Sequence, residues 1–236
     1  MMVLPAVDIL EGRVVQLVGG KPGTEQIVLP DPVEVALDWE DKGAPMVHVI
    51  DLDGAFGKGG NQRIVRRMLQ ELSVPVQVGG GIRSTAIVDQ YVEWGAARVI
   101  VGTKAITDMN WLEDVALAHP ERVVLAMDTA KGQIQVKGWQ ESSRLSVEQV
   151  FDVIGEIPLA AVLHTNVDVE GKAQGINAAE ARRFVERCPH KVIASGGIKS
   201  MEDIRMLEAI GADACVAGIA LYTKRISTAD IWRRTR

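Results

Sequence analysis

The sequence predicts an α/β fold, a single-domain (β/α)8 TIM barrel, and three observations carry that expectation. Short, nearly unbroken apolar runs alternate with helix-length segments along the whole 236-residue chain. Eight such runs can be counted, and parallel strands covered on both faces read this way. A glycine motif then occurs twice with its surroundings. Val78-Gly79-Gly80-Gly81-Ile82-Arg83-Ser84 is echoed by Ala194-Ser195-Gly196-Gly197-Ile198-Lys199-Ser200, and Val101-Gly102-Thr103 by Ala217-Gly218-Ile219, each 116 residues later. Such an echo reads as one half-barrel written twice, with halves of roughly 1–120 and 121–236. A doubly wound open sheet is the alternative; the count of eight and the repeat favour closure.

The expected strands are Val3–Val7, Met46–Ile50, Pro75–Val78, Arg98–Val101, Val123–Met127, Leu159–His164, Lys191–Ala194 and Ala214–Ala217. A further β-like run, Val14–Val18, is expected to form a hairpin with the end of the first strand. The expected helices are Pro32–Lys42, Asn61–Leu72, Thr85–Trp94, Asn110–Ala118, Ser146–Ile154, Ala178–Arg187, Met201–Ile210 and Thr228–Arg234. Asp31-Pro32 has the form of an N-cap followed by proline at the first helical position. Gly43, Gly95 and Gly211 stand where helices should stop. No Pro- or Ser-rich linker and no low-complexity tract divides the chain, so one domain is expected.

Composition narrows the function classes. Hydrophobic residues make up 47% and charged residues 24%, ordinary globular usage that argues against disorder. Aromatics are only 4%, so the core must be mainly aliphatic. Cys188 and Cys215 have neither metal-ligand spacing nor a disulfide framework around them. No apolar run approaches the length of a membrane span, and the first residues lack a signal-type segment, so no membrane association and a cytoplasmic location are expected. A net charge of −5 argues against a nucleic-acid partner but not against an anionic small molecule, which answers to local donors. A monomer is expected.

In such barrels the active site lies at the C-terminal ends of the strands. Strand one ends at Asp8 and strand five at Asp128, equivalent points of the two halves; strand two ends at Asp51 and strand six at Thr165. A lone strand-end carboxylate is often a loop anchor. Two facing each other across a barrel mouth can divide acid and base roles if their surroundings separate their pKa values. The glycine turns after strands three, four, seven and eight contain Gly80, Gly81, Arg83, Gly102, Thr103, Gly196, Gly197, Gly218 and Ile219. One such turn alone is a weak signal, equally a plain tight turn. Four in matched pairs suggest two anion sites on opposite sides of the mouth, hence a ligand with phosphate at both ends and reactive atoms between. His48 and His164 lie within strands, where satisfied core histidines are common, and Lys21, Lys58 and Lys104 in loops are most simply solvated. No cluster has metal-ligand spacing, so no metal is expected, and no nucleophile elbow supports covalent hydrolysis.

These residues resemble the phosphoribosylformimino aminoimidazole carboxamide ribotide isomerase (ProFAR isomerase) family of histidine biosynthesis. The likeness covers essentially the whole chain. It rests on Pro5-Ala6-Val7-Asp8-Ile9 with Gly12-Arg13-Val14-Val15, on His48-Val49-Ile50-Asp51-Leu52-Asp53-Gly54-Ala55, on both glycine motifs, and on Asp128 with Gly138-Trp139. The resemblance implies an Amadori rearrangement of an aminoaldose to an aminoketose on a bisphosphorylated substrate, with no metal or organic cofactor expected. By family role Asp128 is the general acid that helps open the ribose ring, Asp8 is the base that removes the C2′ proton, and Thr165 supports the site. Trp139 would meet the imidazole from a closing lid at Gly132–Ser143, with His48 and Glu170 as further contacts.

Some positions depart from the family pattern. Gln16 replaces the usual Arg after Val-Val, which removes one charged contact with a phosphate. Thr165-Asn166-Val167 and Val169-Glu170-Gly171 stand for Thr-Asp-Ile and Arg-Asp-Gly, so Glu170 keeps the charge with one more methylene. The sister cyclase subunit of imidazole glycerol phosphate synthase typically has Cys-Leu-Asp at strand one and a lysine soon after. Ala6-Val7-Asp8 and Gln16 differ from that. Dual use of phosphoribosylanthranilate stays open, as does a non-catalytic bisphosphate-binding protein. A lyase or aldolase would more naturally need a strand-end lysine, and none is present.

Overall fold

A computed structural model describes residues 1–172 and 174–232 of the chain. Strand β1 (Met2–Leu10) turns back into β2 (Arg13–Gln16), which pairs with β3 (Ile27–Leu29). There follow α1 (Pro32–Asp41), β4 (Val47–Asp51), α2 (Leu52–Phe56), α3 (Gln62–Glu71), β5 (Val76–Gly79), α4 (Thr85–Glu93), β6 (Arg98–Val101), α5 (Thr103–Thr107) and α6 (Met109–Ala118). Next come β7 (Val123–Ala130), β8 (Gln133–Val136), β9 (Glu141–Ser142), α7 (Val147–Ile154), β10 (Ala161–Asn166) and α8 (Ala178–Arg187). The chain continues through β11 (Val192–Ser195), α9 (Met201–Ala209), β12 (Ala214–Ala217), α10 (Ile219–Tyr222) and α11 (Thr228–Ile231).

Eight of the strands form one parallel ring: β1 pairs with β4, then β5, β6, β7, β10, β11 and β12 in turn, and β12 pairs back onto β1. The sheet is therefore closed, a (β/α)8 barrel rather than an open doubly wound sheet. Each expected strand is present within one to three residues of its expected ends. The last expected helix, Thr228–Arg234, runs to Ile231, and residues 233–234 lie outside those described. Three short helices (α2, α5, α10) and three short strands (β3, β8, β9) have no counterpart in the apolar pattern, because two to five residues carry no readable period. The segment from Gly19 to Pro30 contains β3, which adds a third strand to the first hairpin.

Strand side chains alternate between two cores. On β1, Leu4 and Ala6 join an inner cluster with Ile100, Val124, Leu163, Ile193 and Val216, whereas Val3, Val7 and Ile9 pack outward against the helices. The period of two then settles the orientation of the polar residues further along each strand. Asp8 follows Leu4 and Ala6 inward; Asp128 follows Val124 and Ala126; Thr165 follows Ala161 and Leu163; His48 follows Met46. Asp51 and His164 fall on the other face. Asp51 accepts from Asn61 N (2.6 Å) and Asn61 Nδ2 (2.8 Å), which ties the end of β4 to the start of α3. His164 stacks on Phe184 at 3.8 Å, and its Nε2 meets the Thr129 hydroxyl at 2.9 Å.

Helix starts obey local rules. Asp31 Oδ1 accepts from Val33 N at 2.9 Å and Glu34 N at 3.3 Å, and Pro32 occupies the first position of α1. Loss of such a cap typically costs about 1 kcal/mol. Behind α1, Trp39 meets Tyr222 and Trp232 edge-on, while the Tyr222 hydroxyl donates to Ala6 O at 2.7 Å and Trp232 Nε1 to Val3 O at 2.9 Å. These contacts join the elements on either side of the β12–β1 seam. Among the described residues no helix is long and apolar enough to cross a membrane. Both cysteines are free, Cys215 in the core and Cys188 half-buried.

Candidate active site

At the C-terminal ends of the strands lies a cavity of about 270 Å³. Every residue singled out from the sequence as a site candidate lines it: Asp8, His48, Gly80, Gly81, Arg83, Gly102, Thr103, Asp128, Trp139, Thr165, Glu170, Gly196, Gly197, Gly218 and Ile219. Eight strands contribute, and residues at sequence positions as distant as 8 and 219 meet because the ring closes.

The glycine turns owe their shape to backbone packed on backbone. Gly80 and Gly81 have φ of +104° and +71°, and Gly196 and Gly197 have +95° and +79°. A Cβ on Gly80 would lie 2.1 Å from Asp51 O, and one on Gly81 2.3 Å from Gly54 O. The second copy packs the same way, with Gly196 against Asn166 O and Gly197 against Gly175 O, both at 2.6 Å. Gly102 (φ −122°, ψ −105°) and Gly218 (φ −105°, ψ −101°) share a second unusual conformation, each opening a short helix, and neither helix has a side-chain cap. The first two N–H groups of α5 and of α10 are thus left for a ligand, whereas Leu221 N already donates to Gly218 O at 2.9 Å. Arg83 Nη2 reaches Ala55 O at 3.1 Å, and its counterpart Lys199 reaches Gln174 O at 3.0 Å, so both cations brace loops beside the turns.

Between the two pairs of turns stand three half-buried carboxyls. Burial pushes Asp8 up to about 7. Glu170 is pushed up to about 8, by burial first and then by the charges of Asp8 and Asp128. Asp128 is raised by burial, which hydrogen bonds from Trp139 and Thr165 oppose. Raised proton affinity at all three is the condition under which neighbouring carboxyls can offer a proton donor beside a proton acceptor near neutral pH. His48, held to about 4 by burial, is neutral; its Nδ1 faces Gln77 Nε2 at 2.7 Å.

The mouth is roofed by the β8–β9 hairpin, the expected Gly132–Ser143 lid. Trp139 has φ +66° and turns inward, donating from Nε1 to Asp128 Oδ2 at 2.7 Å. Its six-membered ring lies over Gly20, where a Cβ would sit 2.4 Å from the indole. Lys137 N donates to Thr103 Oγ1 at 2.8 Å, which docks the hairpin on the α5 turn. Glu170 O accepts from Gly19 N at 3.1 Å.

Two departures from the family pattern have a structural reading. The Asn166 side chain accepts from Asp168 N (3.0 Å) and donates to Glu180 Oε2 (2.8 Å), so it shapes the loop and does not line the cavity. Gln16 does line it, donating to Asp8 Oδ2 at 3.2 Å. Sequence reasoning saw in Gln16 only a missing cation. Lys104, read as a solvated lysine, also lines the cavity, yet its ammonium is paired with Asp108 at 2.6 Å. Among the described residues no group of three His, Cys, Asp or Glu side chains is arranged to hold a metal ion.

Comparison with known proteins agrees with this geometry. The chain matches the family described as histidine biosynthesis protein over residues 2–227. A relative from Gemmatimonas aurantiaca is 42% identical over 94% of either chain, and one from Methanosphaera stadtmanae is 39% identical over 98% of either. A third, from Methanothermococcus thermolithotrophicus, is 36% identical over the full length of both. All three are named 1-(5-phosphoribosyl)-5-((5-phosphoribosylamino)methylideneamino) imidazole-4-carboxamide isomerase. With a closed barrel, twin glycine turns and a match across nearly its whole length, the chain belongs to the histidine biosynthesis protein family.

Proposed function

We propose that the protein is a ProFAR isomerase, an enzyme that converts its bisphosphorylated aminoaldose to the aminoketose in histidine biosynthesis by acid–base catalysis alone. One observation carries the reading: two inward strand-end carboxyls with raised proton affinity lie between two matched pairs of glycine turns. The turns hold the phosphates at either end. Gly81 with Gly102 and Thr103 serve one, Gly197 with Gly218 and Ile219 the other, and the reactive ribose lies over Asp8 and Asp128.

Asp128 gives a proton to the ribose ring oxygen, the C1′–O4′ bond breaks, and a protonated Schiff base forms at C1′. Asp8 then takes the C2′ proton, the electron pair moves into a C1′–C2′ double bond, and the enolamine results. Return of a proton to C1′ with loss of the C2′ hydroxyl proton gives the ketone, so the reaction is redox-neutral within one molecule. Thr165 donates to Asp128, and Glu170, its proton affinity raised by burial and by the charges of Asp8 and Asp128, limits how much negative charge builds up beside the substrate. Trp139 covers the imidazole and His48 offers a neutral polar contact. One chain, built as two halves of roughly 1–120 and 121–236, holds the complete site, and we read the enzyme as a cytoplasmic monomer.

The deciding assay is spectroscopic turnover of the bisphosphorylated aminoaldose, followed by phosphoribosylanthranilate. Turnover of the first alone is expected. Turnover of both would make the enzyme dual-substrate. Saturable binding without turnover would overturn the catalytic reading.

A further inference from the structure

The two candidate carboxylates are reached by equivalent hairpins. In β1–β2 Asp8 stands opposite Val15, and in β7–β8 Asp128 stands opposite Gln135, so the residue after each partner occupies the same place, Gln16 in one half and Val136 in the other. Val136 is buried among aliphatic side chains. Gln16, only 6% exposed, turns its amide into the cavity. Its Nε2 is shared between Asp8 Oδ2 at 3.2 Å and Val15 O at 3.1 Å. Its Oε1 lies against Gly218, where a Cβ would be 2.0 Å away. The amide thus spans from the strand-one carboxylate to the strand-eight glycine turn, and the missing side chain of Gly218 makes room for it.

We propose that Gln16 is a positioning residue for Asp8, fixing that carboxylate's orientation from within its own hairpin while keeping its surroundings free of cationic charge. The inference rests on Asp8 being the base. A carboxylate that must abstract a carbon-bound proton works only when an oxygen is aimed at that proton. An amide donor on Oδ2 holds the carboxyl plane and leaves Oδ1 for the substrate. An arginine in the same place would hold it too, but would favour the charged, less basic form. The groups facing Asp8 from the elements around it are Asp128 on β7, Glu170 from the loop after β10, Tyr222 on α10 and His48 on β4. None is a cation, so the Gln16 amide is the donor that the structure sets on Asp8.

The test compares kcat, KM and the pH dependence of kcat/KM for the unaltered enzyme, Gln16→Met, Gln16→Glu and Asp8→Asn, with thermal melting to verify folding. Gln16→Met keeps the length and removes the donor. Loss of a hydrogen bond to a charged group is expected to lower kcat about tenfold with KM within about threefold. Because the donor favours ionised Asp8, its loss should also move the acidic limb of kcat/KM to higher pH. Gln16→Glu, nearly isosteric, should move that limb further in the same direction by setting a fourth carboxyl against Asp8. Gln16→Met with unaltered kcat and an unmoved limb would overturn the proposal and leave Gln16 a packing residue. A raised KM at constant kcat would overturn it in favour of a substrate contact. Near-normal turnover by Asp8→Asn would be a different failure, that of the base assignment itself.

Discussion

The two halves of the barrel agree at the proposed phosphate turns and differ at the proposed reacting carboxyls. Gly80 and Gly81 repeat in Gly196 and Gly197 with φ values within about 10° of each other, and Gly102 and Gly218 share one uncommon conformation. The carboxylates, by contrast, are held by unlike devices. Asp8 is held by Gln16 from the adjacent strand, whereas Asp128 is held by the indole of Trp139 three residues beyond its hairpin strand. Both ends of a bisphosphate present the same chemistry and can be met by one solution used twice. The proposed proton donor and proton acceptor have opposite tasks, and what differs between them is what surrounds each carboxyl rather than the carboxyl itself.

The largest expected effect tests that division. Asp8→Asn and Asp128→Asn should each lower kcat by at least roughly a hundredfold, with smaller changes in KM. A near-normal rate in either steady-state assay would remove that residue from its role and leave the halves chemically unequal. Next come the turns. Gly81→Ala would set a Cβ against Gly54 backbone only, whereas Gly197→Ala would meet both Gly175 O and the Val169 side chain, which can move. Each should cost at least about 2 kcal/mol, read as a lower Tm, with the larger loss at Gly81. Equal losses would mean that the two turns are matched more closely than their neighbours imply.

A smaller effect is expected at the roof. Trp139→Phe removes a donor that favours ionised Asp128, so the alkaline limb of the pH profile should move up while kcat falls about tenfold. Gln16→Met moves the acidic limb instead, and a shift of the same limb by both variants would break the contrast. The smallest concerns stability. Asp8 and Glu170, raised to about 7 and about 8, keep their protons in the folded chain after the unfolded chain has released them. Native stability therefore declines as pH rises from about 4 through those values. Asp8→Asn removes one such penalty, so its Tm advantage over the unaltered protein should grow between pH 5 and pH 8 by on the order of 5 °C. A constant difference across that range would show that Asp8 titrates normally.

The ring of strands was legible because parallel strands buried on both faces leave long apolar runs, and Val123–Met127 or Ala214–Ala217 could hardly be anything else. The site residues were legible because period-two alternation and the 116-residue echo place them at strand ends. What escaped is local and polar. The helices at Thr103–Thr107 and Ile219–Tyr222 are formed by the preceding glycine's backbone, not by a side-chain pattern. Gln133–Val136 and Glu141–Ser142 pair as a hairpin in which only Ile134 and Val136 are apolar, too short an alternation to read as a strand. The role of Gln16 depends on a bond across a hairpin and on the empty side of Gly218, neither of which one position's identity can reveal.

The indole of Trp139 also sets a condition on the order of events. Its N–H bond to Asp128 Oδ2 and its ring over Gly20 hold the roof down across the mouth, so the indole must lift before substrate can pass beneath it. Substrate capture then contains a step that no increase in concentration can hasten. Followed by tryptophan fluorescence in a stopped-flow mixer, the observed rate should climb with ligand and level off at the rate at which the indole lets go. The same residue that screens the reaction from water would act as its clock.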